Sequence, residues 1–187
     1  MNHKLFKKYC FISELDKEYI KSLDNKITII FRNYDTKYNL EKLKLILSFC
    51  HLLGKKIILA NNPKIALNLK FDGVYIPAFN KKIYYNLLRS KNNFEVLGSA
   101  HNLKEIRLKE KQGVQVIFLS PLFNVLKSKK FLGINRFNNL AKLSQRKIIA
   151  LGGINNKNLK VLNFINAQGF ASISFFKKAK KNGPKIN

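Results

Sequence analysis

Gly152 and Gly153 interrupt an apolar run of strand character, Ile148-Ile-Ala-Leu-Gly-Gly-Ile-Asn-Asn-Lys-Asn158, and a helical pattern is expected soon after Asn156. Paired glycines between a strand and a helix let main-chain N–H groups approach a ligand, since neither residue carries a Cβ. The N-terminus of the following helix would add unpaired N–H groups and a positive dipole end, a combination suited to phosphate. A plainer reading is that the glycines serve only a tight turn. The next unit favours the ligand, because Gly169-Phe-Ala-Ser-Ile-Ser174 reads as another strand ending in a small polar residue. Gly152, Gly153 and Ser174 are therefore the candidate phosphate-binding residues.

Other polar residues stand just beyond apolar strand-like runs: Arg32, Asn61 and Asn62, Asn80, Ser99 and His101, then Lys127 and Lys129. The set is rich in cations and amides and has no carboxylate. It suits a substrate with several phosphate oxygens better than proton abstraction by Asp or Glu. Each member also has a structural reading: a surface ion pair for Arg32, a helix cap before Pro63 for Asn62, a backbone hydrogen bond in the next turn for His101, ordinary solvation for the two lysines. His3 and His51 carry no functional expectation.

The elements that would position these residues alternate. Strands are expected over 9–12, 27–31, 57–60, 73–76, 95–98, 114–119, from 148, and over 169–174. Helices are expected over 16–23, 40–53, from 63, 83–88, 102–113, 135–143 and 157–167. The punctuation is specific: Gly54 stops the second helix, Asn62-Pro63 opens the third, and Asn102 with Glu105 forms a capping box. Strands that are continuous apolar runs between helices imply a parallel sheet covered on both faces. Eight such units, with no Gly-x-Gly-x-x-Gly after the first strand, favour a closed (β/α)8 TIM barrel over an open dinucleotide-binding sheet. At 187 residues it is a short version lacking the eighth helix, a gap that a second copy of the chain could cover. Residues 1–176 would form one domain, and 177–187 a basic flexible tail.

Composition narrows the classes. A net charge of +26 suggests nucleic acid, but only Arg32, Arg89, Arg107, Arg136 and Arg146 of the 36 basic residues are arginine. The lysines are dispersed, and abundant Lys, Asn and Ile accompany AT-rich coding; non-specific, salt-sensitive polyanion binding is the expectation. Cys10 and Cys50 are far apart and fit reduced thiols, with no metal-ligand spacing. Glu14 cuts short the first apolar stretch, and no run approaches the ~18 residues of a membrane span. A cytoplasmic protein with no membrane partner is expected.

Taken in order, the strand ends resemble the thiamine phosphate synthase/TenI family of (β/α)8 barrels. The resemblance runs from about Ile27 to Phe176. It rests on Ala60-Asn61, Ala66-Leu67, Asp72-Gly73, Gly-Ser-Ala-His at 98–101, Ser-Pro-Leu-Phe at 120–123 and Ala-Leu-Gly-Gly-Ile at 150–154. It implies a transferase that joins hydroxymethylpyrimidine diphosphate to a thiazole phosphate and releases pyrophosphate. Arg32 would bind diphosphate, with Asn61 and Ser99 beside it; Gly152, Gly153 and Ser174 would hold the thiazole phosphate. It also implies Mg2+, yet the family's two magnesium-binding aspartates fall on Asn62 and Asn80, and its Gln and Lys flanking the arginine fall on Ile30 and Tyr34. A hard dication binds more weakly without carboxylates, so Lys127 and Lys129 are expected to supply part of the missing charge. The TenI tautomerases match less well, because their proton-transferring His falls on Pro121. The alternatives are a barrel that keeps a phosphate pocket without this reaction and a basic nucleic-acid-binding protein.

Overall fold

The computed structural model describes residues 7–34, 39–84, 93–125 and 130–176. Eight parallel strands close on themselves in sequence order: β1 (Lys7–Ile12), β2 (Ile27–Phe31), β3 (Ile57–Ala60), β4 (Gly73–Ile76), β5 (Glu95–Ala100), β6 (Val116–Leu119), β7 (Lys147–Leu151) and β8 (Gly169–Ser172). The ring is completed by β1 pairing with β8, Tyr9 opposite Ala171. The helices are α1 (Lys17–Ser22), α2 (Leu40–Leu52), α3 (Pro63–Asn68), α4 (Leu103–Lys111) and α5 (Gly133–Leu143), with a 3-10 helix η1 (Leu159–Phe164) between β7 and β8. Asp16, Asn39, Asn62 and Asn102 each cap a helix by accepting a main-chain N–H.

The strand residues alternate between two cores. Outward side chains such as Ile29, Ile57 and Ile117 meet Leu43, Ile46, Cys50 and Ile106 from the helices. Inward side chains from all eight strands fill the barrel, among them Ile30, Tyr75, Phe118 and Ala171 from the even strands. That interior is aromatic: Phe118 lies edge-on to Tyr9 (4.9 Å between centroids), Tyr75 (5.4 Å) and Phe11 (6.1 Å). The barrel is a packed plug, so any site must lie at its ends.

Several expectations shift. The helix expected over 157–167 is only the six-residue η1. Its lead-in is diverted by side chains: Asn155 N–H donates to Asn158 Oδ1, and Lys157 N–H to Asn155 Oδ1. Such local bonds compete with a helical start. β8 stops at Ser172, whose hydroxyl accepts the Phe175 N–H and turns the chain. β6 begins at Val116, because Val114 N–H still closes α4 through Lys109 O. The helix expected over 83–88 falls largely on residues outside those described, as does 177–187, where an eighth helix or a tail would lie. Ile83 and Tyr84 are not helical.

Candidate active site

The C-terminal ends of the strands gather the polar residues. Alternation along β2 carries Arg32 to the same side as Ile30, over the barrel mouth. Its guanidinium lies 4.9 Å from the centroid of Phe11 and 5.9 Å from that of Tyr34, and its main-chain N–H donates to Ile12 O. Phe11 belongs to the interior plug, so Arg32 closes that plug with a positive charge. Tyr34 in turn meets Phe79 edge-on at 5.3 Å, and both rings are exposed. Beneath them, burial pushes the Tyr75 phenol up to about 12, against the opposing influence of its hydrogen bond with Ser99 and the Arg32 charge.

Ser99 is buried at the end of β5, and its Oγ accepts the Ala78 N–H at 3.0 Å. It thus fastens the segment after β4 to β5. Asn61 adopts φ +64, an unusual left-handed conformation for a residue with a side chain. Its Oδ1 accepts from Asn80 Nδ2 at 2.7 Å, which joins the ends of β3 and β4. Asn62 is the cap of α3, its Oδ1 accepting the Ile65 N–H. His101 faces its own helix: Glu105 Oε2 lies 2.8 Å from both its Nδ1 and its N–H. Burial raises the Glu105 carboxyl, but these bonds and Asn102 outweigh it and hold it below the ordinary value.

Gly152 and Gly153 adopt φ +97 and +70. The close approach that needs them is first of all to the protein. A Cβ on Gly152 would lie 2.7 Å from Pro121 Cβ, and one on Gly153 would lie 2.5 Å from Asn124 O. Their carbonyls are also used, Gly152 O by Phe123 N–H and Gly153 O by the Asn158 side chain. η1 is too short to act as the dipole end expected beyond them, and the Asn155 and Lys157 amides are taken by the turn. Leu151 pairs with Ala171, so the glycines and Ser174 leave adjacent strands at one rim. Ser174 is exposed in the bend after β8. The structure therefore brings Arg32, Asn61, Asn80, Ser99, Gly152, Gly153 and Ser174 to one end of the barrel. His101 is drawn to its helix cap, and Lys127 and Lys129 lie outside the described residues.

A divalent ion is poorly served by these donors. Mg2+ requires hard oxygens in near-octahedral order, usually including carboxylate. Here the side-chain oxygens of Asn61, Asn62 and Asn80 each accept a protein N–H, from Asn80 Nδ2, Ile65 and Lys82 respectively. Among the described residues no cluster of three His, Cys, Asp or Glu side chains forms. The donor set does not fit magnesium.

Two features escape the motif reading. One is the Tyr34–Phe79 pair, assembled from loops 45 residues apart (79 − 34). The other is Lys109, fully buried, whose Nζ donates to Pro77 O, Asn80 O and Gln112 Oε1 at 2.8–2.9 Å. Its signal was present, since Lys109 and Gln112 continue the buried stripe that starts at Ile106, three residues apart each time.

A closed parallel eight-stranded barrel with helices between its strands and a cationic, amide-rich C-terminal rim defines a TIM-barrel protein. Residues 14–176 match the family profile of thiamine monophosphate synthase, and the chain belongs to that family. It is 32% identical over 127 residues to a provisionally named thiamine-phosphate synthase 2 of Aquifex aeolicus, covering 65% of this chain and 67% of that one. It is 25% identical over 112 residues to the thiamine-phosphate synthase of Methanococcus vannielii, 59% of this chain and 54% of the relative. These alignments span about half to two thirds of the relatives' own length. The fold matches thiamine phosphate pyrophosphorylase from Pyrococcus furiosus at a TM-score of 0.71 and 19% identity, over 95% of this chain and 93% of that one.

Proposed function

We propose that the chain is a thiamine phosphate synthase-like transferase that joins hydroxymethylpyrimidine diphosphate to thiazole phosphate. The observation that carries this is Arg32, held over the plug at the mouth of the barrel by Phe11 and Tyr34. The C–O bond from the pyrimidine methylene to diphosphate breaks, and the leaving electron pair stays on pyrophosphate beside the guanidinium. The thiazole nitrogen then supplies the pair that forms the new C–N bond to the pyrimidine cation. Such a reaction depends on holding the two substrates in line and stabilising the leaving group, with little proton transfer. That agrees with the engagement of Glu105, the carboxylate that follows β5, by His101.

In this reading Arg32 contacts diphosphate and Asn61 is a further polar contact. Ser99 orders the loop after β4. The rim at Gly152, Gly153 and Ser174 receives the thiazole phosphate, while Lys127 and Lys129 add charge on the diphosphate side. The substrates are phosphorylated small molecules, and polynucleotides bind only through non-specific charge. Incubating the purified protein with both precursors and separating the products by chromatography tests the assignment; thiamine phosphate and pyrophosphate should appear in equal amounts.

The occupied oxygens of Asn62 and Asn80 favour a second reading, a barrel that keeps the phosphate rim but not this condensation. No thiamine phosphate, with thiazole phosphate still bound, would select it. Loss of both product and thiazole phosphate binding would refute both readings.

A further inference from the structure

The loop after β4 is built around a positive charge to which, among the described residues, no carboxylate is bonded. Lys109 Nζ has three oxygens at hydrogen-bond distance: Pro77 O, Asn80 O and Gln112 Oε1. Three acceptors match the three N–H donors of an ammonium, whereas a neutral amine would turn a lone pair toward one of them. Gln112 completes the clamp through Nε2, which donates to Asn80 O at 2.9 Å and Lys82 O at 2.7 Å. The backbone makes room for this arrangement at Gly98, where a Cβ would lie 3.1 Å from Lys109 Cδ. The clamped loop then aims the Asn80 side chain at Asn61 across the rim.

We infer that the Lys109 ammonium, steadied by Gln112, is a tethered cation that holds the β4 loop where a divalent ion would otherwise be needed, so that diphosphate binding at this rim requires no magnesium. The inference rests on the diphosphate reading of the rim for its last clause only. Lys109 touches no reacting atom; it is a positioning residue, acting through Asn80. Two observations reached by different routes agree on the point. The asparagine oxygens at this rim each already accept an N–H, and the loop carbonyls converge on an ammonium.

Two measurements on the full chain test it. Hydrogen exchange reads the loop directly through the Asn80 N–H, bonded to Pro77 O, and the Lys82 N–H, bonded to Asn80 Oδ1. Both should exchange slowly in the wild type and no more slowly when magnesium chloride is added. In Lys109→Met, which keeps the apolar stem, both should exchange about tenfold faster, as loss of roughly 1.4 kcal/mol of local stability implies, while amides of β5 and β6 stay as before. Should that variant fail to fold, Gln112→Met removes two donors to the same loop and should give the same local signature.

Calorimetric titration with inorganic pyrophosphate then compares EDTA with excess magnesium chloride. Binding in EDTA should be at least as tight, and weaker in Lys109→Met. Protection of Asn80 and Lys82 by added magnesium, or tighter pyrophosphate binding in magnesium, overturns the inference. So does unchanged exchange in both variants. Absence of pyrophosphate binding in either buffer removes the magnesium-free diphosphate clause together with the diphosphate reading, and the exchange result alone then upholds or overturns the clamp.

Discussion

Replacing Gly153 with alanine separates the two duties that a Gly-Gly turn can have, packing against protein and approaching a ligand. The residue sits at φ +70, where an L side chain costs about 1–2 kcal/mol. A Cβ there would also lie 2.5 Å from Asn124 O and 2.8 Å from Phe123 Cβ, and the first of these is backbone that can yield only by moving the loop after β6. Overpacking of this kind costs about 1–3 kcal/mol, so the total is roughly 2–5 kcal/mol, or a fall of ~4–20 °C in Tm for a chain of this size. Gly54→Ala is the internal control. Gly54 has nearly the same φ, +65, but nothing lies within 4 Å of the added Cβ. Urea unfolding of both variants, read by circular dichroism, isolates the close approach as the difference between them. If Gly153→Ala is no less stable than Gly54→Ala, contact with the Pro121–Asn124 segment is not what demands glycine. The requirement would then lie with the ligand and show only in thiazole phosphate affinity.

Arg32→Met should weaken pyrophosphate binding by about 10- to 100-fold in a calorimetric titration, the scale of a lost charge-assisted contact. Its Tm should move little, because a partly exposed cation–aromatic contact contributes only about 0.5–1 kcal/mol. The thiols should be silent in the folded protein: burial pushes Cys50 up to about 11, and Cys10 is buried with its Sγ 3.1 Å from the Tyr19 hydroxyl. A disulfide-exchange reagent at neutral pH should therefore titrate neither cysteine until denaturant is added. Glu105, held below its ordinary value of 4.5, contributes stability that is full above that value and fades as pH falls through the lowered one. Glu105→Gln should accordingly flatten the acid limb of a Tm-against-pH curve.

The barrel was legible because its signals are local and repeated. Short apolar runs such as Ile27–Phe31 and caps such as Asn62-Pro63 and Asn102 set the strands and helices within a residue or two. What failed was where polar side chains compete with the backbone. Asn155 and Asn158 have the composition of a helix lead-in but bond their own turn, and Ser172 ends β8 two residues early. The rim was half legible. Arg32, Asn61, Asn80 and Ser99 were placed by position alone, since residues near the C-terminal end of a strand lie at that end of the barrel, although His101, just past β5, turns to its own helix. Their partners were not, because Asn61 meets Asn80, and Ser99 meets Ala78, only through the closure of neighbouring strands.

That distinction bears on how replacements within a family should be read. Two asparagines in place of acids look, in the sequence, like a site that has simply lost a metal. In the structure both amide oxygens already accept a main-chain N–H, and the loop that carries Asn80 closes on an ammonium that arrives from α4. The acceptors that face this ammonium are the main-chain carbonyls of Pro77 and Asn80 and the Gln112 Oε1, so neutral dipoles balance it in place of a carboxylate. Lys109 and Gln112 hold this loop through the Asn80 main-chain carbonyl and not through its side chain, so Asn80→Asp alone should disturb the Asn61 bond and should not by itself restore a magnesium site. Exchange protection at the Lys82 N–H, bonded to Asn80 Oδ1, with and without magnesium tests this, and a magnesium-dependent gain in the single variant would refute it.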